Sequence, residues 1–176
     1  MEEKNEELEN LLEMLHGMKL EPETSLGVSM DGVAYGIAVK GNYVWVEINC
    51  NGDIHQQEIM KRDCLDVETI CKHALWYDQR KDYETAWLCI AEALYKESAM
   101  PDEEHHCQVW RLGGMEALKC GDEETAYNLM NHALLLPDCT NDDAIILLEQ
   151  MAQLIDADGQ AEAAEELRLD AKNRQL

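Results

Sequence analysis

The sequence predicts an α+β protein in which an N-terminal helix and a four-stranded antiparallel β-meander precede antiparallel helix pairs. Three observations support this fold class: apolar residues at helical spacing near the N-terminus, two-residue turn signals at regular intervals, and a repeated helical motif in the second half. We therefore divide the chain into a helix-plus-meander domain, residues 1–62, and a helical repeat domain, residues 63–176.

Residues 2–19 predict an amphipathic helix. Its apolar side chains recur every three or four residues, with Glu and Asn on the other side: Leu8, Leu11, Leu12, Leu15 and Met18. Pro22 and its polar neighbours end the helix, because proline cannot continue helical hydrogen bonding.

The segment from residue 25 to residue 60 predicts the meander. Its turn dipeptides tolerate the positive φ of tight hairpin turns: Asp31-Gly32, Gly41-Asn42 and Asn51-Gly52. If each turn has two residues, Lys40 faces Tyr43 and Ala38 faces Trp45, which leaves the other sheet face apolar throughout.

Trp45 is the large apolar residue on the second face of this sheet. It lies opposite Ala38 and near Gly36, so an indole stands over small residues, a shape suited to receiving a helix or a partner segment. Either a helix of the chain itself or a partner protein covers it. We retain Trp45 as a candidate partner-binding residue.

The second half of the chain contains an internal repeat. "KDYETAWLCIAEAL" from Lys81 aligns with "GDEETAYNLMNHAL" from Gly121, and both segments begin with an aspartate able to cap a helix, Asp82 or Asp122. Alanines seven residues apart in each copy share one helix face, where small side chains let a neighbouring helix approach closely.

These residues resemble a tetratricopeptide repeat, a unit of about 34 residues that forms two antiparallel helices. The second copy carries the family pattern best, at Trp110, Gly114, Ala126, Ala133 and Pro137. The copy from Val67 has Lys81 where glycine is usual, and a third copy from about Ala144 has no aromatic residue.

The resemblance implies that a partner segment binds along the inner helix of each repeat. It assigns seven residues of mixed apolar and basic character to that groove: Leu75, Gln79, Gln108, Arg111, Met115, Leu118 and Lys119. An apolar or amphipathic segment with acidic residues near Arg111 and Lys119 fits such a groove.

A second resemblance links the first half of the chain to small acidic type III secretion chaperones. An amphipathic helix ending in "LLEMLHGMKLEP" precedes a meander with "DGVAYGIAV" and "VWVEIN", an order and size similar to the effector-binding chaperones. A further chaperone group of those systems is built from tetratricopeptide repeats. This resemblance implies a chaperone role.

The formal net charge of −23 argues against nucleic acid and anionic membranes as partners. It favours encounter with basic segments of proteins. The acidic N-terminus and the absence of a long apolar run predict a cytoplasmic protein, and seven cysteines without paired spacing fit reduced thiols better than a disulfide framework.

The sequence predicts no catalytic residues, metal ligands or cofactor. Cys71 and His73 lie two residues apart on a predicted helix and point to different faces, which disfavours a nucleophile with its base. Histidines and cysteines do cluster later in the chain without the paired spacing typical of zinc sites: His105, His106, Cys107, Cys120, His132 and Cys139.

We therefore predict a non-enzymatic adaptor or chaperone that holds a segment of a partner protein in a groove of the repeats. The alternative is a structural or assembly module that forms a homodimer or a larger complex through the sheet face around Trp45.

Overall fold

The computed structural model describes residues 2–175, with side chains from residue 8 onward. This part of the chain contains eight α-helices and a four-stranded antiparallel sheet, in the order predicted. The α+β fold class is confirmed. The chain forms two compact units, one up to Lys96 and one from Glu97 onward. The predicted domain boundary after residue 62 stays a prediction.

The first helix, α1, spans Glu2–Gly17. Leu11 and Leu15 of its apolar face are fully buried, as the helical spacing predicts. The helix ends two residues before the predicted limit of residue 19, and Leu20 and Pro22 of the following segment are also buried.

The meander consists of four consecutive antiparallel strands: β1 (Ser25–Met30), β2 (Val33–Lys40), β3 (Tyr43–Cys50) and β4 (Asp53–Met60). The predicted register is confirmed, with Lys40 opposite Tyr43 and Ala38 opposite Trp45. All three turns contain a glycine with positive φ, and in two of them the preceding Asp31 or Asn51 has positive φ as well.

One face of the sheet forms the core of the first unit, as predicted. Its most deeply buried residues lie near the β2–β3 turn, with exposures of 1% or less: Ile37, Val39, Val44 and Val46. Towards the other end of the sheet, Val28, Val33 and Tyr35 are only half-buried. The sheet core is therefore fully buried only at the end near the β2–β3 turn.

Helices α2 (Lys61–Cys64), α3 (Val67–Asp78) and α4 (Tyr83–Ser98) follow the sheet. Hydrogen bonds join α3 to earlier parts of the first unit. The ring of His73 bonds the Leu20 carbonyl at 2.6 Å, while the Tyr77 hydroxyl donates to Glu23 and accepts from the Gly41 amide. Helix α3 and all of α4 up to Lys96 thus belong to the same unit as the sheet.

The second unit consists of a short 3₁₀ helix, Asp102–Glu104, and two helix hairpins. The first hairpin pairs α5 (Cys107–Lys119) with α6 (Glu123–Leu135), and the second pairs α7 (Asn141–Ala157) with α8 (Ala161–Asn173). Their shared core contains fully buried side chains from α6 and α7: Met130, Ala133, Leu147 and Met151.

The connection within each helix pair has the same backbone hydrogen bonds. The amides of Lys81, Gly121 and Gly159 each donate to the carbonyl three residues earlier at 2.8–3.0 Å, and all three residues have positive φ. The next amide in each turn donates to the carbonyl five residues earlier. The predicted repeat is therefore present in backbone geometry, including its weak third copy.

Candidate functional site

The outer face of the sheet carries the best-formed candidate binding surface. Trp45 is 43% exposed, so the described residues cover its indole only in part. It borders an open depression of about 570 Å³ with mainly apolar walls, lined also by Gly27, Gly36, Ala38 and Glu47.

Strand register sets the shape of this surface. Gly27 lies directly opposite Gly36, which in turn lies opposite Glu47, while Trp45 pairs with Ala38. Two neighbouring strands therefore present backbone at the floor of the depression, and the indole forms one wall. Tyr43 packs beside Trp45 with a ring-centroid distance of 6.3 Å, which limits the movement of the indole on that side.

Neither floor glycine is required by the packing or the backbone of this chain. A Cβ atom on Gly27 would come no closer than 3.9 Å to another heavy atom, and one on Gly36 no closer than 3.7 Å, both ordinary contacts. Their φ angles lie outside the left-handed region. Glycine inside a strand weakens the strand and often marks a place where another molecule approaches the backbone closely.

Two glutamates neighbour Trp45 on the outer face of the sheet. Glu58 lies opposite Trp45 on β4, and Glu47, two residues along β3, accepts a 3.2 Å hydrogen bond from the Gln56 amide. Both glutamates are exposed. The surface thus combines an aromatic wall, a backbone floor and negative charge, which together suit a cationic side chain attached to an apolar segment.

The predicted groove residues lie in both units. Leu75 and Gln79 belong to the end of α3 or its C-terminal cap, and both are exposed in the first unit. The other five belong to α5 in the second unit: Gln108, Arg111, Met115, Leu118 and Lys119. Each set is described within its own unit, and the assignment of a shared groove stays a prediction.

The α5 residues differ in their availability. Gln108 is exposed, whereas Met115 and Leu118 pack partly against the core of the second unit. Arg111 forms a 2.6 Å ion pair with Asp143 of α7, and Lys119 lies 3.0 Å from Glu116. Both cations are thus neutralised within the unit, which weakens their attraction for an acidic partner.

The buried thiols are poor nucleophiles. Burial raises the pKa of Cys64 and of Cys107 to about 12, and it also raises the pKa of Cys89. A thiol becomes nucleophilic only as the thiolate, so these side chains stay unreactive at neutral pH. His73 is also buried, and its ring bonds the Leu20 carbonyl at 2.6 Å.

A polar cluster in the second unit was not predicted as a site. His105 and His132, 27 residues apart, meet with Nδ1 and Nε2 at 3.0 Å, and Asp102 lies 3.8 Å from the same Nδ1. Trp110 stacks on His105 and lies against His132 with a ring-centroid distance of 4.1 Å. Sequence spacing gave no indication of this convergence, because it depends on how α6 packs beside the 3₁₀ segment.

Comparisons with known proteins support the fold alone. No known protein family matches the sequence, and no curated protein matches it. The crystal structure of MamA, a protein with a tetratricopeptide-like fold, resembles this chain with a TM-score of 0.53 at 9% identity. The match covers 62% of this chain and 58% of MamA. The helical region therefore has a tetratricopeptide-like fold.

None of the described helices combines the length and the apolar character needed to cross a lipid bilayer.

Proposed function

We propose that this protein is a non-enzymatic adaptor that binds a segment of a partner protein through the sheet face around Trp45. One observation carries the proposal: a half-exposed indole stands beside two strand glycines that the chain itself does not need. The tetratricopeptide-like helices support a role in protein interaction, because stacked helix pairs offer extended binding surfaces.

The two carboxylates next to Trp45 point to a basic partner segment. Glu47 and Glu58 flank the indole, and the whole chain carries a net charge of −23. A lysine or arginine placed over the indole gains a cation–π contact and attraction to both carboxylates. A second copy of this acidic chain would bring like charges together across the interface, which disfavours the homodimer.

The α5 surface of the second unit is a second candidate. Gln108 and Lys119 are exposed there. This surface would take a more acidic segment than the sheet face does, so the chemistry of the bound segment distinguishes the two.

A secretion chaperone is the narrower form of the same proposal. It requires that the bound segment belong to a secreted protein. We infer a cytoplasmic location, because the seven cysteines of the sequence lack the paired spacing of a disulfide framework and fit a reducing compartment.

A peptide-display experiment tests the sheet-face proposal. A random library of peptides is selected on the whole chain, and enriched peptides are measured by fluorescence anisotropy. We expect them to combine Lys or Arg with an apolar neighbour and to bind at least tenfold more weakly to Trp45→Ala. Leu88→Ala is the matched control, because Leu88 is also 43% exposed and lies in the same unit.

Two outcomes would contradict the proposal. Enriched peptides that bind Trp45→Ala as well as the parent chain would move the site elsewhere, and acidic peptides lost on Arg111→Glu would favour the α5 surface. Concentration-dependent dimerisation lost in Trp45→Ala would instead make a second copy of the chain the occupant.

A further inference from the structure

The cluster formed by Asp102, His105 and His132 has the composition of a metal site. We propose that it binds one divalent transition-metal ion of the zinc class through His105 Nδ1, His132 Nε2 and an Asp102 carboxylate oxygen. The three ligand atoms lie within 4.8 Å of one another. This inference is independent of the adaptor function.

Hydrogen bonding orients His105 for this role. Its Nε2 lies 3.1 Å from the Met100 carbonyl, which can only accept, so the proton belongs to Nε2 and the lone pair to Nδ1. Metal-binding histidines commonly donate their second nitrogen to a backbone carbonyl in this way. Nδ1 of His105 therefore faces His132 and Asp102 as a ready ligand.

The spacing of the two rings requires little adjustment. In a tetrahedral site with metal–nitrogen bonds of about 2.0–2.1 Å, two ligand nitrogens lie about 3.3 Å apart. Nδ1 of His105 and Nε2 of His132 are 3.0 Å apart, so the tetrahedral separation requires an opening of about 0.3 Å and a turn of the rings that directs both lone pairs to the ion. His132 then shifts its proton from Nε2 to Nδ1, and its hydrogen bond to His105 is replaced by the metal.

The metal site is enclosed by protein on one side and open to solvent on the other. The side chain of His105 is buried, while that of Asp102 is 84% exposed. Trp110 covers both rings and is held by a 2.8 Å hydrogen bond from its indole nitrogen to Glu97. Three protein ligands and one open position leave room for a water molecule or for a ligand group from a partner.

The donor set selects among cations. Two imidazole nitrogens and one carboxylate suit Zn²⁺ and its first-row neighbours, whereas Mg²⁺ and Ca²⁺ require six or more oxygen ligands. Asp102, Glu103 and Glu104 also give the open side negative charge, which attracts a cation.

Calorimetry with Zn²⁺ tests the site in the full chain. The parent carries Cys50→Ser and Cys120→Ser, because both thiols are exposed and would bind zinc themselves. We expect one equivalent of Zn²⁺ to bind, with no heat from Mg²⁺. Asp102→Asn should weaken binding at least tenfold, and His132→Gln should abolish it, since Gln keeps a donor for His105 but is a poor zinc ligand.

His106→Gln is the matched control, because His106 neighbours the cluster but bonds Glu97 at 2.7 Å instead. Zn²⁺ should raise the melting temperature of the parent and of His106→Gln, and leave that of His132→Gln unchanged. Absence of Zn²⁺ binding in the parent would overturn the proposal. Binding that His132→Gln leaves intact would also overturn it.

Discussion

Gly114 of the second unit and the sheet glycines of the first unit have opposite relations to their surroundings. On α5 of the second unit, a Cβ added to Gly114 would lie 2.7 Å from Met130 Cγ and 3.1 Å from the Ala126 carbonyl oxygen. On the sheet of the first unit, a Cβ added to Gly27 or Gly36 would meet only ordinary contacts. Internal packing thus explains Gly114, and it leaves the two sheet glycines unexplained.

The difference separates residues that serve the fold from residues available for binding. Substitution of a residue that contacts within the chain explain should lower the stability of the protein. Substitution of a residue without such an explanation should leave the stability unchanged and weaken only the binding of a partner. The following predictions test that division, beginning with the largest expected effect.

Acid should destabilise the first unit through His73. Burial lowers the pKa of this imidazole from 6.5 to about 4, so the folded state resists the proton that the unfolded chain accepts. Stability is therefore retained above pH 6.5 and falls as the pH drops from 6.5 towards 4, by about 3 kcal/mol in total.

Urea unfolding measured across this pH range checks the effect. His73→Gln removes the titrating ring while leaving an amide donor for the Leu20 carbonyl, so its stability should depend less on pH. An equal loss of stability in this variant would assign the acid sensitivity to other groups.

Gly114→Ala should cost about 2 kcal/mol, because Met130 is completely buried and has little room to move. The equivalent positions of the first repeat hold Ala74 and Ile90, both fully buried. Adding Met130→Ile to Gly114→Ala should therefore recover part of the loss. Thermal unfolding of both variants measures these effects. A neutral effect of Gly114→Ala alone would contradict the packing argument.

Reciprocal substitutions in two repeat turns should change stability in opposite directions. Lys81 has a φ of 62° where Gly121 has 81°, and a side chain in this left-handed conformation costs about 1 kcal/mol. Lys81→Gly should therefore stabilise the chain, and Gly121→Lys should destabilise it by a similar amount. Thermal unfolding that moved both variants in one direction would show that the turns differ in more than residue type.

The smallest stability effect is expected at the sheet face. Gly27→Ala and Gly36→Ala should be neutral or stabilising, within about 1 kcal/mol, since the added methyl groups have room and glycine weakens strands. The same variants should weaken binding of the selected peptides, because the methyl groups raise the floor beneath the ligand. A loss of stability comparable to that of Gly114→Ala would remove the contrast between the two units.

The sheet was predictable because its turns and its alternation agree. Two-residue turns fixed the register that places Ala38 opposite Trp45, and a shift of one residue would have turned the apolar face outward. The helix pairs were predictable from the repeat, although Lys81 departs from the glycine pattern. Its turn still forms, because three backbone hydrogen bonds hold residues 80–82 in place.

The binding surfaces were less accessible to sequence reasoning. The pattern indicated Trp45 but could not decide whether a helix of this chain covers it, since coverage depends on tertiary packing. The sequence predicted that Arg111 and Lys119 are available to acidic residues of a partner. In the structure, Asp143 and Glu116 neutralise them. The Asp102, His105 and His132 cluster joins the 3₁₀ segment to α6, and no local spacing shows such a meeting.

Affinity capture from a lysate of the native host tests the central claim most directly. Four baits are compared: the parent chain, Trp45→Ala, Leu88→Ala and the Arg111→Glu, Lys119→Glu double variant. Quantitative mass spectrometry identifies the proteins that each bait retains. The account predicts one dominant partner with a basic segment, lost in Trp45→Ala and kept by the other two variants. A partner kept by Trp45→Ala and lost in the double variant would contradict the account and assign binding to the helical groove.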